Sequence, residues 1–217
     1  IIVDKPVKED KYKETSLVSI EIMSKLMESG ARHVLFTGGE PLLHQTELSI
    51  IITSLRDRFT DLMISVETNG TIFPSWDLIP LVNVFTTDIK LHYLCRNLIS
   101  EKALEYRETL HRWMTLTKSG IKKVVFKIVC ENVYDIDIGM RMAVFLIEEF
   151  SKNTQSQCHC TFFFSPVMNF SSQGDSHRIL DRICEKIIKA NPFAGVENTT
   201  FVKVGVNVQL HKILALP

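Results

Sequence analysis

Three short polar segments of the sequence carry residue types that could bind a ligand. Thr37–Pro41 (TGGEP), Glu67–Thr71 (ETNGT) and Thr86–Lys90 (TTDIK) each follow a short apolar run. Paired glycines let the backbone approach a ligand and expose its polar groups, and a carboxylate follows them immediately. Each segment alone also fits an ordinary structural role, namely a glycine turn, an Asn-Gly turn, and a solvated or paired set of charges. Only their combination favours a binding site.

Helices and strands alternate along the chain. Helical periodicity predicts helices at 15–29, 48–55, 100–118, 136–150 and 176–190, and apolar runs predict strands at 34–36, 62–66, 82–89, 122–129, 160–164 and 200–208. Nearly continuous apolar strands are typical of a parallel sheet covered by helices, either open or partly curled into a barrel. The predicted class is therefore α/β. Ligands in such folds bind at the carboxyl ends of the strands, so we expect Glu40, Glu67 and Asp88 to share one rim.

Composition limits the classes of function. The chain has 217 residues, 45% of them apolar, and equal numbers (25 each) of Lys+Arg and Asp+Glu. This length suits one domain spanning residues 1–217. The zero formal charge disfavours nucleic acid and anionic membranes as partners. Ile1–Lys13 is polar and lacks the apolar region of a signal peptide, so we expect a soluble cytoplasmic protein.

The cysteines do not predict a disulfide framework or a metal site. There are five of them, an odd number with one close pair in Cys158-His159-Cys160. Alternate residues of a strand face the same side, so these two sulfurs could meet a metal. No second pair of ligands has zinc-like spacing, and we favour a structural strand there.

The combination of FTGGEPLL, VETNGT and a DIK strand end resembles the radical S-adenosylmethionine enzymes. Together with the terminal segment Gln209–Leu214, it is most similar to the family of 7-carboxy-7-deazaguanine synthases. The resemblance spans nearly the whole chain but is dense only in Phe36–Leu43, Val66–Thr71 and Val208–Pro217. It implies an incomplete (βα)6-type partial TIM barrel with mostly parallel strands.

The resemblance also implies roles for individual residues. The Gly-Gly-Glu segment of the family receives the methionine end of S-adenosylmethionine, and carbonyls with a carboxylate suit its ammonium group. The cofactor-binding residues implied are Thr37, Gly38, Gly39, Glu40, Glu67, Asn69, Asp88, Lys90 and Ser165, and the substrate-binding residues are Gly39, His211 and Pro217. Asn69 equally fits a turn, the family often has Gln where Ser165 stands, and His211 also fits an exposed surface position.

The reaction implied is a radical ring contraction that converts 6-carboxy-5,6,7,8-tetrahydropterin into 7-carboxy-7-deazaguanine, a step toward deazaguanine-modified tRNA. The family uses a 4Fe-4S cluster to cleave S-adenosylmethionine reductively, and magnesium assists in known members. The implied partners are the pterin substrate, an electron donor such as flavodoxin or ferredoxin, and a second copy of the chain in a homodimer.

One departure stands against a simple transfer of this activity. The family holds its cluster with three cysteines spaced CxxxCxxC or similar, and this sequence has no such loop. We expect the first strand and the cluster loop to be missing through truncation, with the cluster ligands outside this chain and no metal ligand within it. Two alternatives remain, a glycyl-radical-enzyme activase of the same superfamily and a degenerate module that binds S-adenosylmethionine without a cluster.

Overall fold

The structure is a computed structural model that describes residues 15–92, 101–118, 123–152, 158–167, 181–186 and 200–206. The chain divides into two compact units, Ile1–Thr86 and Thr87–Pro217. The prediction of a single domain stays a prediction, since a compact unit is not by itself a separately folding domain. The two units are described in turn.

The first unit alternates helices with strands. It contains helix α1 (Thr15–Ser29), strand β1 (His33–Phe36), a 3-10 turn (Pro41–His44), helix α2 (Gln45–Arg58), strand β2 (Met63–Thr68) and a second 3-10 turn (Ile79–Leu81). Strand β3 (Val84–Ile89) begins in this unit and ends in the second.

Parallel pairing of β1 and β2 sets the frame of the first unit. Val34 pairs with Ile64 and Phe36 with Val66, so both strands end at the same edge. Helix α1 is terminated by Gly30, the residue after its last turn. The φ of Gly30, +66°, is costly for other residues, and its N–H donates to the Leu26 carbonyl at 3.0 Å. The core of the unit is formed by buried aliphatic side chains of the helices and strands, among them Ile22, Leu26, Val34, Leu48, Ile52, Leu55, Ile64 and Val66.

The second unit repeats the same alternation. It contains helix α3 (Glu101–Lys118), strand β4 (Lys123–Cys130), helix α4 (Val133–Lys152), strand β5 (Cys158–Pro166) and strand β6 (Thr200–Val206), and residues 181–186 are helical. Strands β4, β5 and β6 lie side by side in chain order, and both pairs are parallel.

Aromatic side chains fill the core of the second unit. Trp113, Phe126, Phe162 and Phe164 are fully buried, and the rings of Phe126 and Phe162 stack with centroids 5.2 Å apart. Helix α4 packs closely at Gly139, where an added Cβ would lie only 2.7 Å from Cγ2 of Ile128. A larger residue there would push the helix away from the sheet.

The predicted α/β class with parallel strands is confirmed. Every predicted strand and the first four predicted helices are present, with ends shifted by a few residues. The fifth, predicted at 176–190, is helical at 181–186, and its remaining residues lie outside the described ones. Cys158 and Cys160 lie in β5, so the interpretation of that pair as a strand is also confirmed. In the part of the chain that the structure describes, no helix combines the length and apolarity needed to cross a membrane.

Candidate functional site

The carboxylate of Glu40 joins the ends of β1 and β2. Glu40 is 91% buried. Oε1 accepts hydrogen bonds from Thr68 Oγ1 at 2.7 Å and from Leu42 N at 3.1 Å, and Oε2 accepts one from Asn69 N at 2.8 Å. These donors occupy three of the roughly four lone-pair positions of a carboxylate. Glu40 therefore holds the two strand ends in one geometry.

The turn before Glu40 exposes its backbone. Gly38 and Gly39 have φ values of +90° and +56°, which residues with a Cβ adopt only with strain. Both glycines and Thr37 are exposed, and a Cβ built on either glycine would meet nothing within 4 Å. Two predicted cofactor residues, Gly38 and Gly39, thus present bare backbone to open space just after the carboxyl end of β1.

The segment after β2 forms a compact turn beside Glu40. The Asn69 side-chain oxygen accepts hydrogen bonds from Thr71 N at 2.9 Å and Thr71 Oγ1 at 2.6 Å. Gly70 has a φ of +78°, and its N–H donates to Thr68 Oγ1 at 3.2 Å. The Asn69 oxygen is therefore used in a turn. Glu67 is half-buried within β2, next to Thr68 but on the opposite face of the strand.

A second charged cluster surrounds Asp88 in the second unit. Lys90 Nζ lies 2.8 Å from Asp88 Oδ2, and Lys127 Nζ lies 3.1 Å from Oδ1. The exposed fractions of the side chains are 15% for Asp88, 28% for Lys90 and 11% for Lys127. Tyr106 Oη accepts a hydrogen bond from Lys90 N at 2.8 Å and donates one to the Asp88 carbonyl at 3.1 Å. Two ammonium groups and a phenol thus fix the end of β3.

A cavity of about 390 Å³ opens next to this cluster. Its walls come from the segments that follow β3 and β4 and from the first turns of α4, and its lining includes Ile89, Lys90, His92, Val129, Glu131 and Ile138. The volume suits a small molecule, and its position at strand carboxyl ends is where parallel α/β proteins bind ligands.

The amino terminus of α4 borders this cavity and is capped by its own side chains. Asn132 Oδ1 accepts from the N–H groups of Tyr134 and Asp135 at 2.9 and 3.1 Å. Asp135 Oδ2 accepts in return from the N–H groups of Glu131 and Asn132 at 2.8 and 3.1 Å. This reciprocal capping box satisfies donors that would otherwise be open at the helix terminus.

Burial raises the pKa of the Cys130 thiol from its ordinary value of 9.0 to about 12, and the negative charge of Asp135 adds to the shift. Between pH 9 and pH 12 the folded state therefore keeps this proton while the unfolded chain loses it. The contribution of the thiol to the free energy of unfolding is fully present below pH 9 and is lost as the pH rises toward 12. Between pH 8 and pH 10.5, we expect the free energy of unfolding of the wild-type protein to fall by about 2 kcal/mol more than that of Cys130→Ala. Urea unfolding of both proteins across this range measures the difference, and parallel losses would show that the thiol ionises normally.

The other predicted site residues lie in different parts of the structure. Ser165 is buried on β5 and pairs in register with Val129. His211 and Pro217 lie outside the described residues. Glu40 and Asn69 are brought together in the first unit, and Asp88 and Lys90 in the second. The expectation that Glu40, Glu67 and Asp88 share one rim stays a prediction.

Sequence reasoning did not assign roles to Thr68, Tyr106 and Lys127. A signal for Lys127 exists, because it is a single internal charge in the otherwise apolar strand sequence VVFKIVC. Thr68 stands inside the ETNGT segment, but its part depends on contact with Glu40, 28 positions away. Nothing in the sequence marks Tyr106.

The described structure defines an α/β protein with parallel strands and a polar cluster at strand ends in each unit. The sequence matches no model of a known protein family and no curated protein. Among the described residues, no group of three His, Cys, Asp or Glu side chains is arranged to hold a metal ion.

Proposed function

We propose that this chain is a radical S-adenosylmethionine protein of the 7-carboxy-7-deazaguanine synthase type. The turn at Thr37–Gly39 would bind the methionine end of the cofactor. The observation that carries the proposal is the bonding of Glu40 to Thr68 and Asn69, because it links the two motifs of the resemblance in one place. The exposed backbone of Gly38 and Gly39 lies beside this link.

The further parts of the proposal follow from the same resemblance. The strands would form the wall of a partial (βα)6 barrel, and the protein would be a cytoplasmic homodimer. Magnesium would assist the reaction, and a flavodoxin or ferredoxin would donate the electron. S-adenosylmethionine would supply the radical for ring contraction of 6-carboxy-5,6,7,8-tetrahydropterin. The cavity of about 390 Å³ supports a small substrate over the protein substrate of a glycyl-radical-enzyme activase.

An iron-sulfur cluster does not fit the residues that the structure describes. Cys130 and Cys160 are buried and Cys184 is half-buried, all three with free thiols. A cluster site of this class needs three thiolates close together, and no such group of ligands occurs among the described residues. We therefore derive no step through a cluster. The second proposal, a module that binds S-adenosylmethionine without performing the reaction, needs no cluster ligand in this chain.

Titration calorimetry with S-adenosylmethionine tests cofactor binding. We expect a dissociation constant between about 10 µM and 1 mM, which corresponds to roughly −7 to −4 kcal/mol. Gly39→Val should weaken binding at least about tenfold, because a β-branched residue strains a backbone with a φ of +56°. Gly30→Val is the matched control. Gly30 has a φ of +66° and is equally open, but it lies before the amino-terminal end of β1, whereas the Gly38–Gly39 turn follows the carboxyl end.

Two outcomes contradict cofactor binding at this turn. One is the absence of heat up to 5 mM (roughly −3 kcal/mol) of the compound, and the other is equal weakening by the two glycine variants. A separate assay for 5'-deoxyadenosine under reducing conditions, after anaerobic treatment with iron and sulfide, separates the enzyme from the module when it is run on a protein that also carries the upstream CxxxCxxC-type loop implied by the resemblance. Binding without release of that product would favour the module.

A further inference from the structure

We propose that Thr68 is a positioning residue that sets the geometry of the Gly38–Gly39 backbone for its ligand. The inference rests on the proposed function, since the ligand is the S-adenosylmethionine proposed above. Thr68 is 97% buried at the end of β2, so its effect on a ligand at the exposed turn must pass through other groups.

The hydroxyl of Thr68 acts as donor and acceptor at once. Oγ1 donates to Glu40 Oε1 at 2.7 Å and accepts from Gly70 N at 3.2 Å. A hydroxyl can do both because it carries one proton and two lone pairs. Thr68 therefore connects the Asn69–Gly70 turn to the carboxylate that follows the Gly38–Gly39 turn.

The bonds of Glu40 carry the connection across to β1. The oxygen that receives the Thr68 proton also receives the N–H of Leu42, and the other oxygen receives the N–H of Asn69. Loss of the Thr68 hydroxyl removes one charge-assisted bond and leaves the buried N–H of Gly70 without that acceptor. Oε1 of Glu40 then keeps only the N–H of Leu42, so the carboxylate is held less firmly. The main chain of Gly39 is joined directly to that of Glu40, and a shift of Glu40 therefore moves the turn.

The isosteric variant Thr68→Val removes both bonds and keeps the shape of the side chain. We expect it to weaken S-adenosylmethionine binding roughly tenfold or more, in keeping with the loss of a hydrogen bond to a charged group. Thr68→Ser restores the hydroxyl and should recover binding to within about threefold, since it loses only a methyl group.

Thr117→Val is the matched control for loss of a buried hydroxyl. Thr117 is 98% buried, and its Oγ1 donates to the Met114 carbonyl at 2.7 Å within α3. This variant should lower stability while changing the dissociation constant by less than about twofold, because its hydroxyl does not bond to Glu40.

Amide resonances of Gly38 and Gly39 in a ¹H–¹⁵N spectrum give a readout without ligand. We expect them to shift or broaden in Thr68→Val and to stay in place in Thr68→Ser and Thr117→Val. Unchanged glycine resonances in Thr68→Val would overturn the inference, even if the protein became less stable. Wild-type protein that binds no S-adenosylmethionine would refute the proposed function, while these resonances would still decide whether Thr68 positions the turn.

Discussion

Asp88→Asn should lower the free energy of unfolding by about 3 kcal/mol. Lys127 is 89% buried and lies 3.1 Å from the Asp88 carboxylate. Removing the negative charge takes away the anion that lies 3.1 Å from this poorly solvated ammonium, and breaking buried pairs in this way costs roughly 3–5 kcal/mol. Urea unfolding followed by circular dichroism measures the loss.

Lys90→Met is the control for this pair. Lys90 is the more exposed of the two lysines, and its loss leaves Asp88 paired with Lys127. We therefore expect a decrease of less than about 1 kcal/mol, the range of partly exposed ion pairs. An Asp88→Asn protein as stable as the wild type, or a larger effect from Lys90→Met, would show that Lys127 does not depend on Asp88.

Glu40→Ala is expected to lower the free energy of unfolding by about 3 kcal/mol. The substitution removes the acceptor of three hydrogen bonds and leaves the N–H groups of Leu42 and Asn69 without it. Bonds to charged groups contribute roughly 1.5–3 kcal/mol each, and water entering the space recovers part of that. Denaturant unfolding without ligand measures the effect.

Glu47→Ala provides the comparison, because Glu47 is an exposed residue in the first turn of α2. Its loss should cost less than about 1 kcal/mol through the helix dipole. If Glu40→Ala and Glu47→Ala lower the free energy of unfolding by the same amount, then Glu40 does not hold the strand ends together. A role confined to ligand contact then becomes the better explanation.

Local patterns were sufficient to predict the elements of the fold. The helix over 15–29 and the strand that follows it could be read from apolar spacing and from Gly30, because burial of one face imposes that spacing. The same reasoning located the TGGE and ETNGT turns, since glycine and asparagine favour positive φ.

Local patterns could not predict where the polar side chains point. Glu40 reads as a ligand contact in sequence, yet its carboxylate turns inward to Thr68. The direction of this side chain depends on the neighbouring strand, because buried N–H and O–H donors cost free energy when they are left without an acceptor. Lys127 is a single charge in an apolar strand sequence, and its pairing with Asp88, 39 positions away along the chain, depends on the three-dimensional arrangement.

The capping box of α4 has a consequence for the molecules that the cavity can select. Many α/β proteins hold nucleotides by offering the free N–H groups of a helix start to a phosphate. In this helix the side chains of Asn132 and Asp135 already accept four N–H groups there, and Asp135 adds a negative charge that repels phosphate. A phosphate group is therefore not expected to bind at this helix start. The cavity instead offers a ligand side chains of both signs, among them Lys90 and Glu131, beside its apolar walls.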